Sequence, residues 1–314
     1  VVRDFIMVAQ DQADAAAQKV VKWCALGDPT DWVPSVTTQA GAQILQSGGK
    51  VLRIIGGEYA TIFCERSIWR ATYVGTPLIW QFDEVEKGRG AFDDSCVIRI
   101  GELIYFLDAK GFFVFDGTNS KPISSERINQ TFFNDFARSN RRIIPAADEK
   151  NNQLYWWYLN NSAQWRCMVY NWVTNRWTGP TDVNATWAMF DDEKDAISIF
   201  PEAGLPSRYG TLTGLPVDAL IETAEESPNE KGQAIVNGVR PVVDGNAPVV
   251  QAALGSRDST SGPVVWTPDT LINPDGGWSD VSAQARYHRS LIKVAGDFTD
   301  ISGLEYDWRP TGAR

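Results

Sequence analysis

The stretch GELIYFLDAKGFFVFDGTNSKP, Gly101 to Pro122, places two short apolar runs, Leu103 to Leu107 and Phe112 to Phe115, on either side of the polar turn Asp108-Ala109-Lys110-Gly111. A strand with one wet face alternates apolar and polar residues, whereas these runs are nearly continuous, the mark of strands covered on both sides. Gly111 gives the turn a residue free to take positive φ. The same plan recurs upstream in GEYATIFCERSIWRATYVG, Gly57 to Gly75, and downstream in NQLYWWYLNNSAQWRCMVYNWVTNRWTG, Asn152 to Gly179. The three units start 44 and 51 residues apart. Repeats of about 40 to 50 residues with several strands each are the sequence pattern of β-propeller blades.

Two partial units extend the series. RDFIMVAQ and KVVKWCAL bracket a turn-like DQADAAAQ, and ATWAMFDDEKDAISIF supplies a further strand, charged turn and strand. The chain is therefore expected to be all-β, with a β-propeller-like domain over residues 1–200; a β-sandwich with coincidentally similar hairpins is the competing architecture. The opening VVRDFIMVAQ reads as a strand already under way, without an initiator methionine, so the propeller is expected to be incomplete at its N-terminus. One amphipathic helix is expected in SERINQTFFNDFAR, Ser125 to Arg138, with Ile128, Phe132 and Phe136 on one face, bridging two blades. After Phe200 the texture changes to PEAGLPSRYGTLTGLP and the acidic ETAEESPNEKGQ, a connecting stretch. The remainder of residues 201–314, with AIVNGVRPVV, PVVQAALGSR, RYHRSLIKVAG and GLEYDWRPTG between Asn-Gly, Asp-Gly and Gly-Asp turns, reads as a small β-sandwich or platform domain.

Composition excludes more chemistry than it suggests. Lys and Arg number 29 against 39 Asp and Glu, a net charge of −10, which argues against a surface that grips phosphates. Cys24, Cys64, Cys96 and Cys167 are widely spaced with no C-x-x-C pair, and read as buried thiols of a protein folded in a reducing cytoplasm. With one histidine, a nucleophile–base pair of the usual kind could use only His288, in ARYHRSL; Arg286 and Arg289 beside it make this a basic, exposed or interface strand. The carboxylate sets Asp93-Asp94, Asp191-Asp192-Glu193 and Glu225-Glu226 lie in hydrophilic turns and read as solvated charges rather than a glycosidase pair. EKGRGAF, Glu86 to Phe92, lacks the phosphate-binding glycine patterns. The 13 tryptophans are read first as fillers of the gaps between blades and second as platforms for sugars. No run is long and apolar enough to span a membrane as a helix. No catalytic residue, cofactor or metal site is expected.

The succession KWCALGDPTDWVPS, GGEYATIFCERSIWRATYVGTP, GELIYFLDAKGFFVFDGTNSKPIS, YNWVTNRWTGP and ARYHRSLIKVAGDFTDISGLEYDWRPTGAR resembles, in wording and order, the tail hub or nozzle proteins of short-tailed bacteriophages, also described as packaged-DNA stabilisation proteins. It covers most of residues 20–200 and 280–314; residues 201–279 match poorly. The resemblance implies a non-enzymatic virion part, assembled in the host cytoplasm. Such a part forms a homo-oligomeric ring, usually a hexamer, below the portal and adaptor proteins, retains the packaged genome and conducts duplex DNA without sequence recognition. Tail fibres or a spike would be further partners. Arg286, His288, Arg289, Arg309 and Arg314 are the expected polar interface residues. The alternative is a carbohydrate-binding or glycoside-hydrolysing β-propeller, such as a receptor-binding tail protein.

Overall fold

The structure is a computed structural model; it describes residues 1–9, 17–139, 142–183, 185, 187–191, 193, 196–200, 210–211, 218–230 and 232–311. The chain is all-β with a single short helix among the described residues, and it divides into two compact units, Val1–Leu212 and Thr213–Arg314. The expected turn DQADAAAQ, most of PEAGLPSRYGTLTGLP and Arg314 fall largely or wholly outside the described residues.

The first unit is a series of five antiparallel meanders, each built from strands consecutive in sequence. The second, third and fourth sheets have four strands: Val51–Ile55 to Ile79–Lys87, Val97–Ile100 to Ser120–Pro122, and Ile143–Asp148 to Arg176–Asp182. The first, Met7–Ala9 to Gly41–Ile44, and the fifth, Trp187–Asp191 to Gly210–Thr211, have three. All five expected hairpins form. First strands of successive sheets adjoin at Met7–Ala9 with Val51–Ile55, Val97–Ile100 with Ile143–Asp148, and Ile143–Asp148 with Trp187–Asp191.

The second strands lie deepest: every residue of Ala60–Cys64 is buried, and so are Ile104 to Asp108. Their apolar residues point both ways because the cores lie between sheets. Phe5, Trp23, Ile62 and Trp80 join the first sheet to the second; Phe63, Phe106, Phe112 and Trp156 run through the second, third and fourth; Trp157, Trp165 and Ile197 join the fourth to the fifth. Full burial of one such aromatic side chain contributes on the order of 2–3 kcal/mol. Polar contacts fasten the same seams. Glu86 accepts from the Ser120 N–H at 3.0 Å and its hydroxyl at 2.5 Å, and Arg89 bonds Glu86 while its guanidinium lies 4.1 Å from the Phe113 ring centre.

The Gly101–Pro122 hairpin is tighter than its sequence suggests. Gly111 pairs with Asp108, leaving Ala109 and Lys110 as a two-residue turn. Asp108 is buried because its carboxylate accepts the N–H groups of Lys110 at 2.9 Å and Gly90 at 3.2 Å. Gly111 has φ +146°, and a Cβ there would meet the Asn129 side chain. The helix, α1, spans Glu126–Asp135, with Ser125 as N-cap accepting from the Ile128 N–H. It is shorter than expected because Phe136 turns extended and caps the end. Phe132 packs 5.0 Å from Phe112 and 4.8 Å from Tyr158, so α1 bridges the third and fourth sheets.

The second unit is a sandwich of two antiparallel sheets. One holds Ala219–Glu222, Tyr287–Asp297 and Ala247–Arg257, with the short Val265–Trp266 and Thr270–Leu271 on the far edge; the other holds Ala283–Ala285, Gln233–Asp244 and Asp300–Thr311. Val236, Val239, Val250, Leu254, Ile292 and Val294 fill the space between them.

Candidate interaction surface

The strand Tyr287–Asp297 carries two of the five expected contact residues, His288 and Arg289, and the structure separates them. Positions alternate strictly: Tyr287, Arg289, Leu291 and Lys293 are partly exposed, whereas His288, Ser290, Ile292 and Val294 are buried. His288 keeps 1% of its surface, which corrects the expectation that it belongs to an exposed basic strand. Its face continues into Ile292 and Val294 and is claimed by the core. Arg286 is exposed just before the strand, and Arg309 is exposed on Asp300–Thr311 opposite Ile235. Arg314 lies outside the described residues.

The outward face of the larger sheet interleaves ion pairs with apolar side chains. Arg289 donates to Glu222 at 2.7 Å, and its guanidinium carbon lies 5.4 Å from the Trp266 ring centre. Arg257 forks onto both oxygens of Glu225, at 2.6 and 2.8 Å, and this partner holds the Glu225 carboxyl below its usual range. Lys293 pairs with Asp269. Surface pairs of this kind add between about 0 and 1 kcal/mol each. Their larger consequence is that these cations are already neutralised and offer little to a phosphate. Between them Leu220, Val249 and Leu271 are exposed, and an open groove of about 310 Å³ runs past Leu220, Val249, Gln251 and Lys293.

A second apolar surface lies on the loop from Ala25 to Ala40 of the first unit, where Leu26, Trp32, Val33 and Val36 are exposed. The loop is held from within: Ala25 N–H donates to the Asp31 carbonyl at 2.8 Å, Leu26 N–H to Thr38 at 3.0 Å, and Ser35 N–H to Ala40 at 3.0 Å. Asp28 accepts from the Thr30 hydroxyl at 2.7 Å and its N–H at 2.9 Å, and these bonds keep its carboxyl below the usual range. The sequence signal for this surface was present in GDPTDWVPSV, where apolar residues sit in a run of turn formers.

The remaining candidates for chemistry are taken up locally. Asp93 accepts from Ser95, and Asp191 from Ser198 and the Glu193 N–H; Asp192 lies outside the described residues. Glu225, read as a solvated charge, is instead held by Arg257. Trp23, Trp80, Trp156, Trp157 and Trp165 are buried between sheets, while the exposed Trp32, Trp187, Trp266 and Trp308 sit on separate elements. All four cysteines are free and buried, and burial pushes the Cys64 thiol up to about 11 and Cys96 up to about 12. Among the described residues no three His, Cys, Asp or Glu side chains converge as a metal site needs, and no helix is long and apolar enough to cross a membrane.

Fold and surface together define an all-β protein of stacked antiparallel meanders followed by a β-sandwich, with apolar and ion-paired outer faces. No family model matches the chain, and no curated protein matches it.

Proposed function

We propose that the chain is a structural subunit of a bacteriophage tail. Copies of it pack side by side into a ring, the nozzle or hub below the portal and adaptor, which retains packaged DNA and conducts it during ejection. The observation that carries this reading is the series of blade-like sheets whose cores lie between neighbours, in the order in which the tail-hub resemblance runs along the sequence. A rigid body of this kind suits heterologous contacts that close into a ring. The acidic balance of −10 and the neutralised Arg257, Arg289 and Lys293 favour a wall along which duplex DNA slides without being held. The five inter-sheet tryptophans favour this reading over a sugar-binding propeller, for which a cluster of exposed rings beside two carboxylates would be the support.

The test is the mass of the purified protein by light scattering, alone and with the adaptor ring. The reading expects a discrete multiple of the 34.8 kDa chain, alone or templated by the adaptor. A persistent monomer that ignores the adaptor and binds glycans would overturn it in favour of the sugar-binding propeller.

A further inference from the structure

His288, the one histidine of the chain, lies where the two sheets of the C-terminal sandwich meet. Its Nε2 stands 3.1 Å from the Ala285 carbonyl and 3.2 Å from the Ala234 carbonyl, both on the opposite sheet. Its Nδ1 is buried with no hydrogen-bond partner. Carbonyls only accept, so Nε2 carries the proton and the ring is the neutral Nε2–H tautomer. The main chain of the same residue exchanges two 2.8 Å bonds with Glu226, and Ser256 is its cross-strand neighbour on the other side. One residue therefore fastens the segment entering the sandwich, its own sheet and the sheet opposite.

We propose that His288 is a proton-sensitive latch: neutral, it ties the strand Tyr287–Asp297 to the opposing sheet, and a solvent proton added to the Nδ1 lone pair destabilises the sandwich that buries it. The protonated ring would bury a second N–H without an acceptor and a charge without water, both of which cost free energy. The charged groups around it do not compensate. On the neighbouring segments Glu225 is engaged by Arg257 and the Glu226 side chain is exposed, and on its own strand Arg289 is engaged by Glu222. Arg286, next along, and Arg309, opposite Ile235 on the other sheet, are both exposed. Asp258, which accepts the Arg286 backbone N–H at 3.1 Å, and the two carbonyls favour the imidazolium, but burial outweighs them and holds the ring below its ordinary value of 6.5.

The sign follows from linkage. The unfolded chain takes up the proton near pH 6.5 and the folded chain resists it, so the latch is fully stabilising above that pH and is lost as pH falls through the lower folded value. Within that window the folding constant drops by about tenfold per pH unit. The experiment is urea unfolding of the whole chain from pH 8 to 5, for the wild type and for His288→Gln, which does not titrate. The expected result is a wild-type midpoint that falls below pH 6.5 more steeply than that of the variant; parallel curves would overturn the latch. Should His288→Gln fail to fold, the wild-type imidazole Cε1–H resonance decides alone, since one histidine needs no assignment. A native titration midpoint below 6.5 supports the proposal, and one at or above 6.5 contradicts it.

Discussion

The four thiols illustrate how strongly single residues feel the space between sheets. A thiol reacts as its thiolate, and burial makes the thiolate costly at Cys64, Cys96 and Cys167. At pH 8 a disulfide reagent such as DTNB is expected to leave the native protein unmodified, and to titrate all four cysteines once denaturant is added. Prompt reaction of any thiol in the native state would mean that a seam between sheets opens readily. Gly90 makes a complementary prediction, because a Cβ there would sit 2.0 Å from the Cys64 carbonyl oxygen, a backbone atom that cannot step aside. Gly90→Ala is expected to destabilise the first unit by about 1–3 kcal/mol through overpacking, measured by chemical unfolding; an unchanged midpoint would show that the connector yields. His288 shows where reading a sequence residue by residue falls short. Arg286 and Arg289 suggested a basic strand, but extending the alternation to Ile292 and Val294 places His288 on the core face. The signal lay four residues further along the same strand.

At the scale of elements, hairpins were the most legible feature, because a two-sided apolar run is decided within five or six residues. Edge strands were less so: Ser120–Pro122 and Gly41–Ile44 have too few apolar residues to announce themselves, and they form by pairing with strands already fixed by the core. The helix was legible from its amphipathic spacing alone. Ser125→Ala should cost about 1 kcal/mol by removing the N-cap acceptor, and Phe132→Ala about 3–5 kcal/mol by emptying the space among Phe112, Phe136 and Tyr158. Similar small losses for both would mean that α1 is peripheral rather than a bridge. The C-terminal strand Asp300–Thr311 is a long, largely exposed edge. Asp300, Glu305, Asp307, Arg309 and Pro310 are the residue types that discourage a further strand from adding to such an edge. The ion-paired outer face opposite was not legible, since Glu222–Arg289 and Glu225–Arg257 join residues 67 and 32 positions apart.

For the whole molecule, the acidic balance leads to an expectation about DNA: fluorescence anisotropy with a labelled duplex at physiological salt should register no stable complex. Tight, salt-sensitive binding would point to a basic surface that the paired arginines do not provide. The decisive question is whether copies of this chain close on themselves. The most direct measurement is electron microscopy of the purified protein, alone and with the phage adaptor ring, averaged without imposed symmetry. A tail nozzle predicts closed rings with a central hole wide enough for duplex DNA. Single separate particles under both conditions would contradict it.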